Sequence, residues 1–239
     1  MKRLFKSTVI LPVYALVLAC CILIALVGNY AVTVITENTT TDNEYCIIID
    51  AGHGGVDGGA TSCTGVLESA INLEIALRLN DLLHLIGIDT YMIRTEDISI
   101  HTEGNTIASK KVSDLKERVR IVNNAINPVL VSIHQNYFSD SRYSGAQVFY
   151  ANTEYSDKLA DQMQNAFIKA INPTSNRAIK KANGIYLMQK ISCPGVLIEC
   201  GFLSNLTEEA KLRSEDYQKK ICCVIASVVS QFVHDNAIA

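Results

Sequence analysis

Three short runs of β-branched and aliphatic residues, Cys46–Asp50 (CIIID), Pro128–Ile133 (PVLVSI) and Gly195–Ile198 (GVLI), constrain what this chain can fold into. Each is apolar at nearly every position, as a strand is when both faces of its sheet are covered. Stretches with helical spacing lie between them. From Ser69 to Ile86 apolar residues recur at 71, 75, 79, 82, 83 and 86, among others, the stripe of an amphipathic helix. Gly87 stands where such a helix would end. The pattern predicts further strands at 88–93, 146–150 and 185–188, further helices at 115–124, 156–171 and 216–235, and a long polar loop at 96–111. Strands alternating with helices in this way predict an α/β fold, a mixed and largely parallel sheet flanked by helices.

The sequence ahead of this pattern has a different character. Residues 8–27 are almost unbroken apolar residues, preceded by Lys2, Arg3 and Lys6. A stretch of that length can cross a bilayer core as a helix, and the basic flank would hold the N-terminus in the cytoplasm. A cleavable signal peptide is the competing reading. Its apolar core is shorter, about 7–15 residues, and no small-x-small cleavage site follows here. Val17-Leu18-Ala19-Cys20 loosely resembles a lipoprotein processing site, but apolar residues continue past Cys20. The expected organisation is a membrane anchor or signal sequence at 1–28, a linker at 29–44 rich in Thr, Asn and Asp, and one domain at 45–236. The domain would then stand on the extracytoplasmic face of the membrane.

Formal net charge is −3 and the exported part carries no basic stripe, which excludes nucleic acid as the expected partner. The eight cysteines contain no CxxC pair, so neither a thioredoxin-type site nor a zinc ribbon is indicated. Outside the leader and the last helix, Cys46, Cys63, Cys193 and Cys200 are expected to be buried free thiols.

Polar residues with chemical potential follow three of the apolar runs: His53 after Asp50, His134 after Ile133, and Glu199 after Ile198. In an open α/β sheet, ligands bind in the crevice beyond the carboxyl ends of the strands. Glu68 opens the helix that starts where the first strand ends, so it reaches the same edge. Taken singly, each has an ordinary explanation: a loop histidine, or a carboxylate complementing a helix N-terminus. Glu199 resists it most, because a carboxylate that continues an apolar strand needs a cation or strong donors to offset its desolvation. Two His and two Glu converging on one edge suggest a zinc site with one carboxylate left over as a base. Spacing does not say which glutamate ligates. The loop Gly52-His53-Gly54-Gly55 matches neither the Walker pattern nor GxGxxG, since Asp57 occupies the last glycine position. A Cys63–His53 nucleophile pair has no orienting third residue.

Five motifs occur in order: IIIDAGHGGVDGGA, GVLESAINLEIALRL, MIRTED, LVSIHQN and VLIECGFLSN. Together they closely resemble the zinc-dependent N-acetylmuramoyl-L-alanine amidases of the amidase-3 family, across residues 45–235. The resemblance implies zinc held by His53, Glu68 and His134, with Glu199 as the catalytic carboxylate and Asn136 in contact with substrate. It implies cleavage of the amide between N-acetylmuramic acid and L-alanine in peptidoglycan. Departures from the family pattern are Ala51 in place of proline, Ser69 in place of lysine, Gln135 and Tyr137 in place of smaller residues, and Cys200 in place of a small aliphatic residue or threonine. The short, singly anchored layout resembles sporulation and germination-specific amidases, which act on spore-cortex peptidoglycan in forming muramic-δ-lactam, so a forespore-envelope location is expected. A second envelope protein is expected as activator. A zinc peptidase acting within the stem peptide and a non-catalytic envelope scaffold are the alternatives.

Overall fold

The computed structural model describes residues 45–237, with positions 18, 20 and 23 ahead of them. Apart from those three positions, the expected anchor and linker lie outside the described residues. Among the described residues no helix is long and apolar enough to cross a membrane.

The elements follow in the order β1 (Cys46–Ala51), α1 (Glu68–Leu85), β2 (Thr90–Met92), α2 (Ile107–Asn124), β3 (Pro128–Asn136), β4 (Gln147–Tyr150), α3 (Ser156–Ala170), β5 (Lys180–Lys181), α4 (Tyr186–Lys190), β6 (Gly195–Phe202), α5 (Leu206–Leu212) and α6 (Glu215–Ala237). They build one six-stranded sheet of order β2-β1-β3-β6-β4-β5. All neighbours pair parallel except β4 with β6. The mixed, largely parallel sheet expected from the sequence is therefore present.

The three apolar runs form adjacent central strands, and their side chains divide with the two-residue period of a strand. Ile47, Ile49, Val131 and Ile198 face one layer, where Ile75 and Leu79 of α1, Phe167 of α3 and Phe232 of α6 pack on them. Ile48, Leu130 and Leu197 face the other, against Val122 of α2 and Leu187 and Met188 of α4. Each such side chain, fully withdrawn from water, contributes about 1.5–3 kcal/mol. This double burial is why the runs show no polar alternation.

Several boundaries differ from the sequence reading. Residues 185–188, expected as a strand, lie largely in the short helix α4. A run of four apolar residues carries no periodicity that separates one turn of helix from a strand, and the sheet edge is instead the exposed pair Lys180–Lys181. The polar stretch 96–111 is not all loop, because α2 begins at Ile107. That helix buries Ser113, Asp114 and Arg118 ahead of Val122, so only the later part of its inward face is apolar. A capping box starts it: the Thr106 hydroxyl accepts from the Ser109 amide at 3.1 Å, while Ser109 Oγ accepts from the Thr106 amide at 2.9 Å. Thr106→Ala should therefore cost about 1 kcal/mol, read as a lower urea midpoint with unchanged slope. Of the cysteines expected to be buried, Cys193 and Cys200 are, Cys46 is half-buried and Cys63 is exposed.

Candidate metal centre

The register of the central strands determines what meets at their carboxyl ends. His134 and Glu199 sit opposite each other on β3 and β6. Beside them β1 runs out through Ala51 and Gly52 to His53, whose φ of 62° is unusual for a residue with a side chain. Such a conformation costs on the order of 1–3 kcal/mol and persists only where the surroundings impose it. Here they do. Arg118 donates to the His53 carbonyl at 2.7 Å, and the carboxylate of Asp57 accepts from His53 Nδ1 at 2.8 Å. Because a carboxylate only accepts, Asp57 fixes Nδ1 as a donor and turns Nε2 toward Glu68.

Nε2 of His53 lies 3.3 Å from Glu68 Oε2, and Nδ1 of His134 lies 3.0 Å from Glu68 Oε1. One ligand atom from each of His53, Glu68 and His134 falls within 4.8 Å of the others. A tetrahedral zinc with N and O ligands at about 2.0–2.1 Å places neighbouring donors about 3.3 Å apart. The donor set and its spacing thus fit zinc. Glu68 is buried and fixed, accepting from the Ala60 amide at 3.0 Å, the Gln135 amide at 3.1 Å and Asn72 Nδ2 at 3.3 Å. Gly52 provides the room, since a Cβ there would lie 2.2 Å from His134 Nε2.

Electrostatics favour a cation at this point. Burial opposes charge on Glu68, yet hydrogen bonds from His134 and His53 overcome it and hold the carboxyl far below its usual range. Burial likewise opposes a proton on His53, but Asp57 and Glu68 raise its pKa to about 9. Glu199 is different. Burial pushes its carboxyl up to about 7, against the pull of His134 and with a smaller push from Glu68. Its Oε2 is buried with no hydrogen-bond partner among the described residues. A carboxyl near neutrality with an unpartnered oxygen can take a proton and give it back.

The structure thus brings together all four residues singled out from the sequence. Asn136 stands at the end of β3, beyond an irregularity in the ladder after His134, and its carbonyl accepts from the Leu203 amide. Cys63 lies exposed and outside the group. The sequence reading missed the supports. Arg94 donates to the carbonyls of Ala51, Gly52 and Ser69 at 2.8–3.1 Å, and Arg118 holds Ala51 and His53. Arg118 occupies the same helical stripe as Leu115 and Val122, which is the signal that could have found it. Asp57 is a support of another kind, orienting His53 through its Nδ1 nitrogen. Asp57→Ala should weaken zinc binding about 10–100-fold, measured by competition with a chromophoric chelator.

Residues 47–231 match the amidase-3 family model, described as N-acetylmuramoyl-L-alanine amidase. The chain belongs to the amidase-3 family. Among the relatives of this amidase-3 chain is the germination-specific N-acetylmuramoyl-L-alanine amidase of Bacillus subtilis, 38% identical over 181 residues, spanning 75% of this chain and 76% of that one. Among solved structures, the CwlD amidase of Clostridioides difficile, determined in complex with the GerS lipoprotein, superposes with a TM-score of 0.76 at 38% identity, covering 80% of this chain and 99% of that one. An N-acetylmuramoyl-L-alanine amidase of Clostridium difficile 630 gives 0.71 at 31% identity, covering 82% and 100%. As an amidase-3 member the protein is a peptidoglycan N-acetylmuramoyl-L-alanine amidase, similar to germination-specific amidases.

Proposed function

We propose that the amidase is zinc-dependent, with His53, Glu68 and His134 as the metal ligands, Glu199 as the general base and then acid, and Asn136 in contact with substrate. The observation that carries this is the convergence of the three donor side chains on one point beside a carboxyl whose enclosed Oε2 has no partner among the described residues. Zinc in such a set supplies a lowered pKa for water and polarises a carbonyl. The remaining steps fall to the protein. Glu199 takes a proton from the attacking water as its oxygen adds to the lactyl carbonyl of N-acetylmuramic acid. It returns that proton to the alanine nitrogen as the C–N bond breaks. Arg94, Arg118 and Asp57 keep the His53 loop in place throughout, so that little reorganisation is needed.

The product sugar carries a free lactyl carboxylate, the group a muramic-δ-lactam ring requires. That chemistry, with the likeness to a germination-specific amidase, supports action on spore-cortex peptidoglycan. The apolar stretch at residues 8–27 supports tethering to the outer face of a membrane, with the catalytic domain at 45–236 beyond a linker. The lipoprotein held by the C. difficile relative supports an envelope protein as activator.

Purified protein stripped with a strong chelator should lose cleavage of defined muropeptides, and added zinc should restore it. Mass analysis should find an intact stem peptide released from glycan. Release of stem-peptide fragments would favour a peptidase, and undiminished cleavage after complete metal removal would sink the zinc assignment.

A further inference from the structure

Beyond His134 and Glu199 the ends of β3 and β6 carry aromatic rings that the chemistry above does not use. Phe138 and Tyr143 are 49% and 47% exposed. They are nonetheless ordered as a stack: Phe138 meets Tyr143 edge to face at 5.0 Å, and Tyr143 lies at 6.1 Å and 30° on Phe202. Phe202 itself is buried, with the Arg177 guanidinium 5.0 Å from its ring centre.

The loop bearing these rings is pinned from several sides. Ser204 Oγ accepts from the Phe138 amide at 3.3 Å, Asn205 Nδ2 donates to the Ser141 carbonyl at 2.8 Å, and Arg177 donates to the Ser144 carbonyl at 3.1 Å. The buried carboxylate of Glu208 accepts from the amides of both Gly145, at 2.7 Å, and Phe202, at 2.8 Å. One acid thereby ties the loop to the end of the strand that holds Glu199. A rigid loop that keeps two rings half in water withholds apolar surface from the core, as a recognition surface does.

We propose that Phe138 and Tyr143 form a saccharide subsite, on which the apolar C–H face of a pyranose of the glycan strand rests while polar side chains at its margin meet the hydroxyls. The occupant follows from position and chemistry. The loop begins three residues after His134, and Phe202 lies three residues after Glu199, so the platform continues the strands that deliver the catalytic groups. The substrate of an N-acetylmuramoyl-L-alanine amidase presents a sugar on one side of the scissile amide. Flanking the rings are Arg142 paired with Asp140 at 2.7 Å, and Asn136, groups able to bridge hydroxyls in the plane of a sugar. The inference rests on the amidase reading and extends it from the amide to the glycan.

The test uses the full chain, with Phe138→Ala, Tyr143→Ala and the ring-preserving Tyr143→Phe. A peptide-free oligomer of N-acetylglucosamine should receive saturation transfer from the protein in NMR, with the signal lost in Tyr143→Ala and retained in Tyr143→Phe. The ratio of kcat/KM for glycan strands of several disaccharides to that for a single muramoyl peptide should fall about tenfold in both alanine variants, chiefly through KM. Equal losses on the two substrates, or no transfer from the wild-type protein, would overturn the subsite. So would alanine variants that leave the ratio intact but abolish capture of an envelope lipoprotein, since the platform would then serve a protein partner. If the wild-type protein cleaves neither substrate yet still shows ring-dependent transfer, the subsite stands and the catalytic reading falls.

Discussion

Glu199→Ala should retain zinc and lose about 10²–10⁴-fold in the rate of muropeptide cleavage, the usual contribution of a positioned general base. Glu68→Ala should do the opposite with metal, losing most of it. The two carboxylates share one sheet edge but not one environment. Both oxygens of Glu68 are engaged, Oε2 by the Ala60 amide and Oε1 by the Gln135 amide and Asn72, and each stands 3.0–3.3 Å from a histidine nitrogen. Such a side chain is aimed and has little freedom. It suits a ligand, and its loss removes one of three protein donors. Glu199 is half-buried, with its enclosed Oε2 unpartnered among the described residues and its carboxyl near neutrality. It suits proton transfer, and its loss leaves His53, Glu68 and His134 in place. Elemental analysis beside product mass spectrometry separates the roles. Zinc missing from Glu199→Ala but retained by Glu68→Ala would reverse them.

The parts of this site that were legible in the sequence share a physical cause. A buried parallel strand must be apolar throughout, so the polar residue that follows it stands out, and His134 and Glu199 were readable for that reason. His53 was readable because the glycine loop marks where β1 ends. Which glutamate suits a ligand was not readable from spacing, since the two differ in the side-chain hydrogen bonds that fix Glu68 and leave Glu199 Oε2 open. The start of α2 was hidden because the inward residues ahead of Val122 are Ser113, Asp114 and Arg118, which resemble a solvated surface when read one at a time. Residues 185–188 were misread because strand and helix differ only in period, and four residues do not contain one. The fold was thus visible wherever burial selects composition, and invisible where polar side chains are buried in mutual pairs.

Arg118 is the largest of those hidden pairs, and Arg118→Met should destabilise the zinc-free protein by about 3–5 kcal/mol at neutral pH, the cost of breaking a buried ion pair on one side. The guanidinium is almost fully buried. It pairs with Asp50, contacts Asp114 at 2.6 Å, and donates to the carbonyls of Ala51 at 3.1 Å and His53 at 2.7 Å. Burial disfavours its charge, but Asp50 and Asp114 more than compensate and raise its pKa. Burial would likewise raise Asp50, and Arg118 is the main reason it is lowered instead. A carboxyl lowered on folding stabilises the native state above its unfolded pKa, and that stabilisation is lost as pH falls through the folded value. Without Arg118 burial is opposed only by His134 and the Ser132 hydroxyl, so Asp50 loses its main counter-charge and protonation in acid costs the variant less than it costs wild type. The deficit of Arg118→Met relative to wild type should therefore shrink as pH is lowered from 7 toward the carboxyl range. Arg118→Lys keeps the charge but not the planar fork that serves two carboxylates and two carbonyls at once, so it should recover only part of the loss. Urea unfolding of the zinc-free proteins across that pH range measures this. A neutral-pH loss below about 1 kcal/mol, typical of an exposed pair, would show that the network is not what holds the His53 loop.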